Sequence, residues 1–234
     1  MKKLILLMMS MILVLSVQAY ATTLTVLGSD NLGHQLIYDS ALNVTWLDYT
    51  NPANTWQNQV NWASSLEVNF NGTTLTGWRL PSTVDADPPY SGNPYDGTGT
   101  YGFNITNPGD EMSYLYYAEL GNKGYYDTSG NLQPGYGLVN KGPFRNLVYS
   151  GYGNSLYWSG TATSADPYLA WDFNFGDGAQ YDYDKDGYYS YFYGVAVRPG
   201  DAAEPTSVPE PDTILLLGAG LTGLMLFRKR FVKL

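Results

Sequence analysis

The sequence predicts an α+β domain with two short helices, a twisted antiparallel sheet and long turn-rich connections. Three observations carry that expectation. Apolar residues recur at helical spacing in only two stretches, both in the first half of the domain. Strand-like alternating runs dominate its last third. The 26 glycines and 13 prolines cluster between these runs, where they mark turns. Helices early and a sheet late is the α+β arrangement.

Taken in order, Leu24-Thr25-Val26-Leu27 and Gln35-Leu36-Ile37-Tyr38 alternate around the turn residues Asn31-Leu32-Gly33 and predict a hairpin. Val44-Thr45-Trp46-Leu47 predicts a third strand. Thr55 is placed to cap a helix through about Val68, with Trp56, Val60, Ala63 and Leu66 on one face and Asn71-Gly72 as its stop. Gly77-Trp78-Arg79-Leu80-Pro81-Ser82 is a compact apolar insertion with one cation. From Thr83 to Gly109 the chain is rich in Pro, Gly, Asp and Tyr and reads as a long surface excursion. Asp110 is placed to cap a second helix carrying Met112, Leu115, Tyr116 and Leu120, which Gly121 stops. A glycine-rich stretch then runs to Gly142. Leu156-Tyr157-Trp158 is strand-like, as is Ala170 to Phe175, with Trp171, Phe173 and Phe175 on one face and Asp172 and Asn174 on the other. A turn at Gly176-Asp177-Gly178 leads into Ala179–Tyr183, and Tyr188 to Arg198 runs back with Val195 and Val197 on a common side.

The two ends have a different character. Lys2 and Lys3 precede an apolar run from Leu4 to Val17 and small residues at Ala19 and Ala21, the pattern of a secretory signal peptide over residues 1–21 that signal peptidase cleaves after Ala21. At the other end Val208-Pro209-Glu210-Pro211-Asp212 precedes an apolar segment, residues 213–227, and the bases Arg228-Lys229-Arg230. That segment reads as a transmembrane helix whose basic flank stays cytoplasmic, with the preceding chain outside. Residues 22–207 remain as one extracellular domain of ordinary size.

The order Pro209-Glu210-Pro211, short apolar helix, terminal basic cluster resembles a PEP-CTERM sorting signal, over residues 208–234. The resemblance implies recognition by exosortase, a membrane-embedded cysteine protease of Gram-negative bacteria that make exopolysaccharide. It also implies processing near Val208, Pro209, Glu210 and Pro211, and delivery through the cell envelope to the outer surface or the extracellular matrix.

Charge narrows the partners. Residues 22–207 hold 6 of the 12 Lys+Arg and 19 of the 21 Asp+Glu, a net charge of about −13. Such a surface repels phosphate backbones and excludes nucleic acid as a partner. No cysteine is present, so no disulfide supports the fold in an oxidising compartment. Aromatic side chains supply core material instead: the whole chain has 6 Trp, 8 Phe and 22 Tyr, all but Tyr20, Phe227 and Phe231 within residues 22–207.

A second resemblance spans residues 36–201. Its motifs are Leu36-Ile37-Tyr38-Asp39, Val44-Thr45-Trp46-Leu47, Trp78-Arg79-Leu80-Pro81, Tyr157-Trp158-Ser159-Gly160-Thr161, Ala170-Trp171-Asp172-Phe173-Asn174-Phe175 and Ala196-Val197-Arg198-Pro199-Gly200. In this order they resemble the C-terminal domain of the Legionella collagen-like adhesin, which implies a C-type-lectin-like fold. Many members carry two cysteines that this chain lacks, at places near Trp62-Ala63 and at Ala196. The family's binding of sulfated polysaccharide does not transfer to a domain with six cations.

Three sets of residues are candidates for a site. Asp182, Asp184 and Asp186, with Gly187 in the sixth place, form either a calcium loop or a solvated Asp/Gly hairpin turn; the twelfth place holds Tyr193, not the bidentate Glu of a calcium loop. Tyr125, Tyr126, Tyr188 and Tyr189 offer flat apolar faces with a polar tip for stacking on sugar rings. Tyr191 and Tyr193 alternate as core residues of a strand do, and Arg79 and Arg198 suit structural hydrogen bonds. Catalysis finds little to work with: one histidine, His34, beside a turn, and no nucleophile motif. The expectation is a non-enzymatic surface or matrix protein that binds glycan or another matrix component. The competing reading is a secreted hydrolase acting through an unrecognised Asp/Glu pair.

Overall fold

The structure, a computed structural model, describes residues 23–86, 93–149 and 155–203. The signal peptide, Val208 to Pro211, the apolar segment 213–227 and Arg228 to Arg230 lie outside the described residues. Among the described residues no helix is long and apolar enough to cross a membrane.

The chain folds around one mixed seven-stranded sheet. Its strands are β1 (Leu24–Ser29), β2 (Gln35–Asp39), β3 (Val44–Asn54), β6 (Leu156–Ala162), β7 (Leu169–Asn174), β8 (Gln180–Asp184) and β9 (Phe192–Pro199), in the order β1-β2-β3-β9-β6-β7-β8. A separate hairpin joins β4 (Val68–Phe70) to β5 (Thr73–Leu75). Every contact in the large sheet is antiparallel except β6–β9, which run parallel and share the single pair Tyr157↔Tyr193. That pair joins two antiparallel halves, one made of β1, β2 and β3 with the last strand β9 added beside β3, the other the β6-β7-β8 meander.

This corrects the predicted α+β class. Strands hold 35% of the described residues and helices 11%, and the C-type-lectin-like arrangement is not found. The physical reason lies in how little helix the two amphipathic stretches form. Helix α1 covers Trp56–Ser64 only, and the chain turns at Ser65 to continue as β4. Thr55 occupies the N-cap position without a side-chain bond; Asn54 Oδ1 accepts Thr55 N–H instead. Helix α2 is a single turn, Glu111–Tyr114, followed by a π-helical turn, Leu115–Glu119. Asp110 precedes it but does not cap it. Its Oδ1 accepts Val84 N–H and Gln180 Nε2–H, so the carboxyl faces the sheet.

Both faces of the sheet are covered, and this decides what the strand alternation means. One core gathers Ile37, Trp46, Tyr157, Phe173, Val195 and Val197 beneath α2, the π turn and the 138–147 loop. The other gathers Leu36, Leu47, Trp158, Ala170 and Ala196 beneath α1, the β4–β5 hairpin and Trp78-Arg79-Leu80. Each buried large apolar side chain contributes about 1.5–3 kcal/mol relative to an exposed one. Asp172 and Asn174, on the face opposite Phe173, are therefore buried too, under the second layer.

The stretch 83–109 is also corrected, since its described part is no free surface excursion. Gly102 and Gln180 exchange two backbone hydrogen bonds of 2.8 Å, which seats this segment along the outer edge of β8. Phe103 and Ile105 are buried behind it. Gly102 takes φ +109°, and a Cβ there would lie inside the van der Waals envelope of the Pro94 carbonyl. The docked segment hides an edge that would otherwise offer unpaired amides to other chains.

Candidate functional site

The β8–β9 connection carries the exposed chemistry. Asp184 ends β8 and Phe192 begins β9; between them the turn is held by Asp186 N–H to Asp184 Oδ1 at 2.9 Å and Ser190 N–H to the Gly187 carbonyl at 3.0 Å. It is pinned from two further sides. Lys185 N–H donates to the Tyr168 carbonyl at 2.9 Å, and Lys185 Nζ donates to the Pro167 carbonyl at 2.8 Å. The same ammonium sits 4.7 Å from the Trp56 ring centroid, and Trp56 Nε1 is anchored on the Ser159 carbonyl. A cation over an indole face is an attractive arrangement even at a partly exposed site.

On this fixed turn Tyr188 and Tyr189 stand 85% and 83% exposed, with ring centroids 4.9 Å apart and planes at 89°. Tyr191 is 57% exposed and lies before β9, so its predicted core placement is overturned. Only Tyr193 follows the strand alternation inward, against Tyr157 at 5.4 Å. Tyr168, 75% exposed, joins the group through the backbone bond to Lys185, and Tyr183 adds a partly exposed ring at the end of β8. The cluster thus presents several apolar faces with hydroxyl tips. Sequence reasoning found Tyr188 and Tyr189 but missed Tyr168, which reaches the turn only through the β7–β8 pairing of Leu169 with Asp184.

Asp182, Asp184 and Asp186 share this region but do not converge. Asp182 sits opposite Trp171 in the β7–β8 register, while Asp184 Oδ1 is occupied by the Asp186 amide. Among the described residues no group of three His, Cys, Asp or Glu side chains is placed to hold a metal ion. The Asp186 N–H to Asp184 Oδ1 bond is the local hydrogen bond of an Asx turn.

Tyr125 and Tyr126 belong elsewhere. Tyr126 meets Tyr95 at 5.0 Å, Phe103 at 5.2 Å and Tyr125 at 4.8 Å, and Tyr125 meets Tyr136 at 4.7 Å. The Tyr126 carbonyl accepts Asn104 Nδ2–H and Gln133 Nε2–H. These half-buried rings bind the 93–104 segment to the glycine-rich loop after α2, a packing role.

Several carboxyls are interior. Asp172 is fully buried with neither oxygen hydrogen-bonded, and burial, then Asp182 and Asp177, raise its pKa well above the usual carboxylate range. Burial pushes Asp110 up to about 6 against the lowering effect of its Gln180 and Val84 bonds. Glu119 is pushed up to about 8 by burial and by Asp39 beside it. A groove of about 170 Å³ lies between α1 and the 79–82 segment, lined by Val60, Ser64, Arg79, Leu80, Gly160 and Thr161. It is smaller than the ~300–1,000 Å³ of ordinary small-molecule sites. The exposed tyrosine face, not this groove, has the extent to meet a polymer.

Comparison with known proteins bears on the tail. The PEP-CTERM protein-sorting motif matches residues 207–230. No curated protein and no solved structure matches the chain. The resemblance drawn over residues 36–201 therefore has no support from these comparisons. The motif marks the chain as an exosortase substrate, exported to the cell surface or beyond.

Proposed function

We propose that this protein is a non-enzymatic component of the outer surface or extracellular matrix that binds polysaccharide through the tyrosine face of the β8–β9 turn. The observation that carries the reading is the pair Tyr188 and Tyr189, exposed side by side on a turn fixed by Lys185, Trp56 and Pro167. Rings left in water at such cost suit a partner that covers them. Tyrosine stacks its ring on the apolar face of a sugar while the hydroxyl meets the sugar's own hydroxyls. The preformed turn limits the ordering entropy lost on binding.

Charge selects among polysaccharides. A domain with 6 cations against 19 acids favours neutral chains over sulfated or uronate-rich ones, which it repels. An exosortase-sorted chain is delivered where such polymers accumulate, which supports a role in a biofilm matrix of Gram-negative cells.

The test is affinity electrophoresis of the exported protein through gels carrying neutral or acidic polysaccharides. A neutral polymer is expected to retard the protein, and Tyr188→Ala with Tyr189→Ala to abolish the retardation. Stability of that double variant is expected to stay within about 0.5 kcal/mol of the parent, as for exposed positions generally. Equal retardation of parent and variant by every polymer, or none at all, sinks the reading.

A further inference from the structure

The exposed tyrosines of this domain are unevenly placed. Among the described residues six stand exposed, and five of them, Tyr168, Tyr183, Tyr188, Tyr189 and Tyr191, gather at the β8–β9 turn. The sixth, Tyr149, packs beside Gly137. The surface offers an oxidant nothing softer. The chain has no cysteine, and the one methionine within residues 22–207, Met112, is buried; these sulfur side chains are the usual first targets of oxidation. Trp46, Trp78, Trp158 and Trp171 are buried too, and Trp56 carries the Lys185 ammonium over its ring. A one-electron oxidant therefore meets phenols, and meets most of them at one place.

We propose that this tyrosine cluster is a covalent cross-linking site, coupled as dityrosine to the same cluster on a second copy of the chain. The co-reactants are hydrogen peroxide and a haem peroxidase that oxidises phenols. Two tyrosines, one on each chain, each give up the phenol hydrogen as an electron and a proton. The two phenoxyl radicals pair their electrons in one carbon–carbon bond between ortho positions. The displaced ortho hydrogens pass to the oxygens and restore both phenols, while the peroxide takes up two electrons and two protons and leaves as two waters. Geometry favours coupling between chains. Tyr188 and Tyr189 meet at 89°, edge against face, whereas the new bond needs two ring edges to meet. Both edges stay open to a phenol from outside, on a turn that Lys185 holds to Pro167 and Tyr168. A net charge of about −13 opposes a standing dimer, but radical coupling needs only an encounter. It also supplies the link that a cysteine-free chain cannot make as a disulfide. Coupling uses phenol hydrogens and ring edges and polysaccharide stacking uses ring faces, so neither reading rests on the other.

The exported protein, treated with hydrogen peroxide and a haem peroxidase, is expected to form dimers and larger species that survive boiling in detergent and thiol and show dityrosine fluorescence. Peptide mapping is expected to link the peptide of Tyr168 and those of residues 183–191, each linked pair lighter than its two peptides by two hydrogens. Tyr168→Phe, Tyr188→Phe and Tyr189→Phe, combined in one chain, are expected to lose most of the dimer, because phenylalanine has no phenol hydrogen to give. Tyr149→Phe is expected to keep the parent's yield. The triple variant retains its ring faces, so its retardation by a neutral polysaccharide is expected to persist, weakened by the lost hydroxyls. Failure of cross-linking and failure of stacking are thus read separately. No covalent dimer from the parent, an undiminished dimer from the triple variant, or links that map to tyrosines outside the cluster overturn the proposal.

Discussion

The Arg79 guanidinium donates two parallel hydrogen bonds of 2.7 Å to the Glu111 carboxylate, joining the segment after the β4–β5 hairpin to the first residue of α2. These belong to layers on opposite faces of the sheet, so the pair clamps them at the rim. The geometry is complete on both sides. Arg79 Nη1 also donates to the Leu80 carbonyl, and Glu111 Oε2 accepts Ser82 N–H at 2.7 Å. Glu111 raises the guanidinium's pKa chiefly through this bond.

Breaking that clamp is expected to destabilise the domain. The Arg79 side chain is 40% exposed and Glu111 8%, so loss of the cation strands the better-buried partner. A fully buried pair costs about 3–5 kcal/mol to break, and water access at Arg79 reduces this to about 2 kcal/mol for Arg79→Ala. Arg79→Lys keeps the charge but cannot form the fork, and is expected to recover about half of the loss. Urea unfolding of the three chains measures both values; equal midpoints would show the clamp to be idle.

Gly102→Ala tests the docking of the 83–109 stretch on β8. A Cβ at this position meets the Pro94 carbonyl and requires φ +109°, which alanine resists. The expected result is loss of the two Gly102–Gln180 bonds and release of the segment, read as rapid proteolysis between Pro94 and Phe103. The released edge of β8 is also expected to promote self-association at high concentration. Unchanged proteolysis would mean that the segment does not depend on this contact.

The C-terminal motif gives a cellular outcome. Replacing Glu210 and Pro211 by Ala is expected to leave the chain unprocessed and retained in the membrane fraction of its native host, because the recognised residues 207–230 include both. Immunoblotting of cell and medium fractions reads this directly. Normal processing and release would remove exosortase from the account.

How much of this was legible depends on the range of the interaction. The first hairpin was legible because Leu24 to Tyr38 is local: alternation and an Asn-Leu-Gly turn suffice. Val195, Ala196 and Val197 alternate between the two cores as their pattern indicates. Asp172 misled, because alternation cannot reveal whether a second layer covers the polar-looking face; here Trp158 and Ala170 lie on that face within a buried core. Helix α2 fell short since Asp110 binds Gln180, a partner 70 residues away, instead of its own helix. Among site residues, Tyr188 and Tyr189 were visible beside Gly187, whereas the Lys185 contacts with Trp56 and Pro167 that fix them are products of the fold.

Asp110 makes stability depend on pH in a direction opposite to most paired carboxylates. Its folded pKa is about 6, raised by burial from an ordinary value of 3.8. Between these values the folded chain binds a proton that the unfolded chain has lost, so stability falls as pH rises from about 4 through 6 and the full cost stands above it. A gap of about two between the folded and unfolded pKa corresponds to about 3 kcal/mol at most. Asp110→Asn keeps an oxygen for Val84 N–H and Gln180 Nε2–H and removes the titration. The variant is therefore expected to gain on the parent by up to ~3 kcal/mol between pH 4 and pH 7 in parallel urea titrations. Glu119, raised from 4.5 to about 8, and the buried Asp172 and Asp177 add dependences of the same sign that overlap this window. The difference between variant and parent removes them, because both chains carry them. A constant difference between variant and parent across the window would place the Asp110 carboxyl in a far wetter setting than its hydrogen bonds to Val84 and Gln180 imply.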